Sequence, residues 1–118
     1  MRLSPEQTRK CLELAGQKPL PLADTISERD FQSAVLSLAK ENGWLCYHTH
    51  DSRKSQAGFP DLVMVRGVHL IFVELKTEDG KLGADQHNWI GALRGVERIN
   101  VWVWRPSNWP IIVKILTA

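Results

Sequence analysis

The stretch from Gly58 to Lys76, GFPDLVMVRGVHLIFVELK, constrains this chain more than any other. Its two apolar runs, LVMV and VHLIFV, read as the strands of a hairpin bound for a hydrophobic core. Asp61 opens the first run, and Glu74 and Lys76 close the second. Side chains alternate along a strand, so Glu74 and Lys76 point to one face. With Arg66-Gly67 as a two-residue turn, Val65 faces Val68, Val63 faces Leu70 and Asp61 faces Phe72. Asp61 then sits diagonally beside Glu74, whereas a one-residue slip would send the two acids to opposite sides of the sheet.

Two carboxylates gathered among apolar residues repel one another and lose solvation, so one protonates unless a cation joins them. Hard oxygen ligands at this spacing suit Mg2+. A neighbouring lysine has a clear task where phosphate is the substrate: it orients or helps deprotonate the attacking water and stabilises charge on phosphorus. Each residue alone has a plainer role, since an aspartate after proline starts many strands and E-L-K ends many at the surface. The joint pattern points to metal-assisted phosphodiester hydrolysis.

Around the hairpin the chain reads as one mixed α/β domain, a single sheet with helices covering it. Ser4, Pro5 and Gly16 suit a short helix over residues 5–15, and KPLPLADT reads as a proline-stiffened linker. The domain proper is placed at residues 24–118, leaving 1–23 as an N-terminal helix and linker. From Ser27 to about Asn42 a second helix carries Phe31, Ala34, Val35, Leu38 and Ala39 as its apolar stripe, with a capping box from Ser27 to Asp30 and Gly43 at its end. WLCYHT follows as a strand, HDSRKSQAG as a basic loop, then the hairpin. A helix is expected over Ala84–Arg94, a strand at INVWVW, and a short helix or strand in RPSNWPIIVKIL.

The chain of 118 residues is long enough for one core, and 43% hydrophobic with 24% charged residues is a globular balance. No apolar run spans a bilayer and no signal-peptide core opens the chain, so an intracellular, cytoplasmic protein with no membrane partner is expected. Cys11 and Cys46 lack metal-ligand spacing and are read as reduced thiols. The net charge of +2 establishes no polyanion partner by itself; setting Glu28, Asp61 and Glu74 aside leaves 10 acids against 15 bases, a basic surface that suits nucleic acid.

Pro60-Asp61 and Glu74-Leu75-Lys76 match the signature of the PD-(D/E)XK nuclease superfamily. With GW-CYHT-DSRKS-GFPDLVMV, VELKTEDGKLGADQ and VWVWRPSNW, the chain resembles the VRR-NUC family in its small stand-alone bacterial and phage form, over about Ser27 to Trp109. The resemblance implies a restriction-endonuclease-like core, a mixed central sheet flanked by helices, and cleavage of DNA with Mg2+, or Mn2+ in its place. It implies Asp61 and Glu74 as metal-binding acids, the Leu75 main-chain carbonyl as a further ligand, and Lys76 as the catalytic lysine. Small members are similar to Holliday-junction resolving enzymes and act as homodimers, in the cytoplasm of bacterial or phage-infected cells.

Further residues join the site. Glu28 lines up with the apolar stripe of its helix, which suits either a first-turn acid favouring the helix dipole or, as the superfamily implies, a contribution to the metal site. Gln86 has a counterpart in the family and is expected near the site water, the lysine or the scissile phosphate. His48, Ser52, Arg53, Lys54 and Ser55 border or form the loop leading to Asp61 and offer phosphate donors; Arg105 is a further phosphate candidate. His48 and His50 are not taken as a metal pair, because the acids make the harder site. Trp102 and Trp104 share a strand face and are read as core.

The leading function is a structure-selective endonuclease of branched DNA, whose paired cuts at a junction need the two active sites of a C2 dimer. The alternatives are a flap, nicking or restriction-type nuclease in replication or repair, and a catalytically silent DNA-binding module.

Overall fold

In the computed structural model, residue 23, residues 25–49 and residues 56–118 are described. The helix at residues 5–15, the linker, the boundary at residue 24, Cys11, His50 and the phosphate-loop residues Ser52, Arg53, Lys54 and Ser55 lie outside them. The elements run α1 (Glu28–Glu41), β1 (Leu45–His48), β2 (Leu62–Arg66), β3 (His69–Leu75), α2 (Ala84–Arg94), β4 (Asn100–Trp104), a 3-10 turn (Pro106–Asn108) and α3 (Trp109–Thr117). The strands form one mixed sheet in the order β1-β2-β3-β4, antiparallel except for the parallel β3–β4 pair. Antiparallel neighbours need only tight turns, and the parallel pair needs the crossover that α2 supplies.

The first helix is bounded as its sequence dictates. The Ser27 hydroxyl accepts the Asp30 N–H at 3.1 Å. At the other end Gly43, with φ of +84°, occupies the left-handed position, and the Gly43 and Trp44 N–H groups return to the Lys40 and Ala39 carbonyls at 3.1 and 3.0 Å. This pair of bonds is a Schellman motif, which satisfies carbonyls the helix end would otherwise orphan. α2 spans the expected residues, and the ambiguous C-terminal segment is helical.

One face of the sheet carries Leu62, Met64, Ile71, Val73, Leu75 and Trp104 into the core, where Phe31, Val35 and Leu38 of α1 and Trp109, Ile112 and Leu116 of α3 meet them. Trp104 is buried and Trp102 packs against the same cluster, as core residues rather than open stacking platforms. The opposite face carries Phe72 and Glu74. Phe59 stands edge-on to both Phe72 (6.1 Å between centroids) and Trp89 of α2 (5.0 Å), bringing α2 against this face.

The hairpin register differs from the sequence expectation. Arg66 pairs with His69, Val65 with Leu70 and Val63 with Phe72, so the turn is Gly67-Val68. Gly67 has φ of +61° and Val68 is not in the positive-φ region, the pattern of a turn whose first central residue is glycine. An Arg66-Gly67 turn would give that strained position to arginine. Moving the turn by one residue moves the pairing by two, so faces are kept. Continued one step past the Leu62–Val73 pair, this register sets Asp61 directly opposite Glu74 rather than diagonal to it.

Candidate active site

Asp61 stands just before β2, and Glu74 and Leu75 end β3. The Leu75 N–H donates to Asp61 Oδ2 at 2.8 Å. The Asp61 carbonyl accepts the Thr49 N–H at 3.0 Å, extending the β1–β2 ladder by one step. Asp61 is thus tied to both neighbouring strands. Because N–H and C=O of an extended residue leave the strand on the same edge, the Leu75 carbonyl faces the Asp61 side as well.

Glu74 is 2% exposed, an ionisable group deep in the sheet. Burial, then the facing Asp61, pushes its carboxyl up to about 8, with Lys76 pulling the other way. Burial also raises Asp61, against the opposing pull of the Leu75 N–H, a hydrogen bond from Glu74 and the charge of Lys76. Glu74 therefore resists ionisation beside Asp61. This pair is costly as two anions and is relieved by any positive charge placed between them.

Gln86, in the first turn of α2, fixes Glu74 from above. Its Nε2 donates to Glu74 Oε2 at 2.9 Å, while its Oε1 accepts the Gly83 N–H at 2.8 Å. That second bond sets which end of the amide faces the carboxylate. The partner of Gln86 is thus the acid itself, a choice outside the three expected from sequence. Gly58 secures α2 in place: its φ is +86°, and a Cβ there would meet the Asp85 carbonyl oxygen at 2.5 Å and Asp85 Cβ at 2.6 Å. No side chain fits between the approach to Asp61 and the start of α2.

Glu28 lies at the exposed start of α1, not in the core. Partial burial and the charge of Asp61 raise its carboxyl and Lys76 lowers it, so it belongs to the same electrostatic field. The α1 C-terminus is at the hairpin-turn end of the sheet, which brings its N-terminus to the Asp61 end. Among the described residues, no three His, Cys, Asp or Glu side chains converge as a metal-holding group. Lys76 follows β3 directly, with its N–H bonded to the Trp104 carbonyl at 3.0 Å. Its charge acts on Glu28, Asp61 and Glu74 together.

His48 ends β1 on the core-facing side of the sheet and is half-buried. Arg105 does not stand open to solvent: its Nη1 donates to the carbonyls of Thr77 (2.7 Å), Glu78 (3.3 Å) and Gly80 (2.6 Å). Cys46 is a free thiol. Sequence reasoning missed Thr49 and Gly58 as supports of Asp61 and α2. The glycine preceding Phe-Pro-Asp was the available signal for one; nothing local marks the other.

The fold and the facing acids with their lysine define a nuclease-type α/β domain. The sequence profile of the VRR-NUC domain matches residues 6–105, and the chain belongs to that family. A solved structure titled "VRR_NUC domain" is similar at 25% identity and a TM-score of 0.52, covering 70% of this chain and 92% of that one. No curated protein matches the sequence. Among the described residues, no helix is long and apolar enough to cross a membrane.

Proposed function

We propose that this protein is a metal-dependent endodeoxyribonuclease that hydrolyses phosphodiester bonds in branched DNA, Holliday junctions included, as a cytoplasmic homodimer. The observation that carries the reading is the direct opposition of Asp61 and Glu74 beneath the charge of Lys76. A buried glutamate whose ionisation a half-buried aspartate opposes is a poor structural choice and a good cation site. Asp61, Glu74, the Leu75 carbonyl and Glu28 would hold Mg2+, or Mn2+ in its place. A bound Mg2+ supplies Lewis-acid stabilisation of the phosphoryl oxygens and lowers the pKa of water.

The protein's own groups do the rest. Lys76 orients the attacking water and offsets charge developing on phosphorus. Gln86 keeps Glu74 turned toward Asp61. His48, Ser52, Arg53, Lys54 and Ser55 are assigned to backbone phosphates, which favours recognition by DNA shape over sequence.

One substrate panel tests this: labelled four-way junctions, flaps, splayed arms and linear duplex, each with Mg2+, Mn2+ or EDTA. Paired symmetric nicks confined to the junction are expected. Preferential cutting of flaps would replace the junction assignment by a flap or nicking nuclease. Cleavage that persists in EDTA, or a Lys76→Ala variant cutting as fast as wild type, would end the mechanism.

A further inference from the structure

The chain leaves the site through Lys76 and turns back within four residues, the Gly80 N–H closing onto the Thr77 carbonyl at 3.2 Å. A turn this short at an exposed sheet end is ordinarily loose, because few apolar contacts hold it. Here it is gripped from β4. The Trp104 carbonyl holds the Lys76 N–H, and the next residue, Arg105, sends Nη1 into the bowl of the Thr77, Glu78 and Gly80 carbonyls. The grip is returned: Glu78 Oε2 accepts the Ser107 N–H at 3.1 Å. Arg105 is itself braced, its N–H held by Asn108 Oδ1 at 2.8 Å. Hydrogen bonds from a guanidinium to carbonyls are charge-assisted, and one planar group meeting three acceptors fixes direction as well as distance.

We infer that Arg105 is a positioning residue for Lys76: it latches the Thr77–Gly80 turn so that the lysine keeps its reach over Asp61 and Glu74. The inference rests on the nuclease reading for its catalytic consequence, and it replaces the phosphate contact expected of Arg105. Close packing points the same way. A Cβ at Gly80 would come within 3.0 Å of Thr77 Oγ1 and 3.4 Å of Lys76 Cδ, so the turn lies directly against the lysine's own stem. A turn free to lift would carry that stem with it. Misplacing a reacting group by about 1 Å costs on the order of 10²-fold in rate.

Two measurements on the full chain decide the matter. The first is amide exchange across Lys76–Gly80 in wild type, Arg105→Ala, Arg105→Lys and Glu78→Ala. The latch predicts exchange faster by about tenfold in Arg105→Ala, partly restored by lysine, with a smaller rise in Glu78→Ala. The second is steady-state cleavage at several salt concentrations. A positioning role lowers kcat by about tenfold or more, leaves KM within about twofold, and leaves the salt dependence unchanged. A phosphate contact would instead raise KM, spare kcat and reduce the salt slope by about one; that result overturns the inference.

Unchanged exchange in Arg105→Ala also overturns it. Should that variant fail to fold, Glu78→Ala opens the latch from its other side and is read the same way. A wild-type protein that cuts no DNA would instead refute the nuclease reading, while the exchange data alone would still decide whether the latch exists.

Discussion

At the turn end of the β2–β3 hairpin, Arg66 is met by acceptors on every side. Its guanidinium donates to the Asn42, Leu116 and Ala118 carbonyls at 3.1, 3.0 and 2.6 Å and lies 4.6 Å above the Trp44 ring. One cation there gathers the C-terminal ends of α1 and α3, where helix dipoles concentrate negative potential. At the open end of the same two strands, Asp61 and Glu74 face each other with Glu28 in their field. Three acids are set against the single charge of Lys76. The first end is arranged for stability, whereas the second holds a conflict that a proton or an added cation relieves. The same hairpin carries both, so substitutions at its two ends should have opposite signatures.

The largest contrast is expected from Glu74→Gln. Removing a carboxylate proposed to hold the metal should reduce cleavage by about 10³-fold, of the order seen when a transition-state stabilising group is lost. Stability should move the other way. The folded Glu74 carboxyl titrates at about 8 against an ordinary 4.5, so the native state binds the proton more tightly than the unfolded chain. That contribution is full below the ordinary value and is lost as pH rises through about 8. Asp61 shifts in the same direction. In EDTA, the melting temperature of wild type should therefore fall between about pH 5.5 and about pH 8.5, and Glu74→Gln should flatten the fall. A wild-type profile as flat as the variant's would mean that the two carboxyls do not oppose each other.

Arg66→Ala should give the reverse signature. Three carbonyls lose a charged donor and Trp44 loses its cation, a cost of about 2–4 kcal/mol in unfolding free energy. The rate per folded molecule should stay near wild type, because the partners that hold this arginine, Asn42, Leu116, Ala118 and Trp44, lie at the turn end. Denaturant titration with activity scaled to the folded fraction separates the two. A catalytic loss exceeding the loss of folded protein would show that the ends are coupled.

Gly58→Ala tests a position that belongs to both categories. Its positive φ and the backbone of Asp85 leave no room for a methyl, so the start of α2 must move. A cost of about 1–3 kcal/mol is expected, together with a fall in kcat, since the shift draws Gln86 away from Glu74. Loss of stability with an unchanged kcat would show that Gln86 does not govern the acid.

These contrasts follow what could and could not be read from the chain. α1 announced its limits through residues acting on their own backbone, Ser27 and Gly43, whereas the Gly83–Gln86 bond that starts α2 was seen only in the structure. The facing acids were legible because strand alternation survives any even shift in pairing. The register itself was not legible, because its determinants are remote: Arg66 is held as a strand residue by carbonyls 24 and 50 positions away in sequence. The partner of Gln86 depends on how α2 docks through Gly58 and Phe59, and the role of Arg105 on a turn that only the parallel β3–β4 pairing brings near. The candidate residues showed in the pattern; the contacts through which Gln86 and Arg105 act did not.

The smallest effects test that register. With Gly67-Val68 as the turn, Val68 is 92% exposed and pairs with nothing, so Val68→Ser should change stability by no more than about 0.5 kcal/mol. Gly67 has open space around it but a positive φ, so Gly67→Ala should cost about 1 kcal/mol through backbone conformation alone. Were Arg66-Gly67 the turn, Val68 would instead be a strand residue opposite Val65, and its truncation would cost a cross-strand apolar pair. Equal urea slopes with these two unequal midpoints are the expected result. A Val68→Ser loss matching that of Gly67→Ala would move the turn back by one residue and Asp61 back to a diagonal from Glu74.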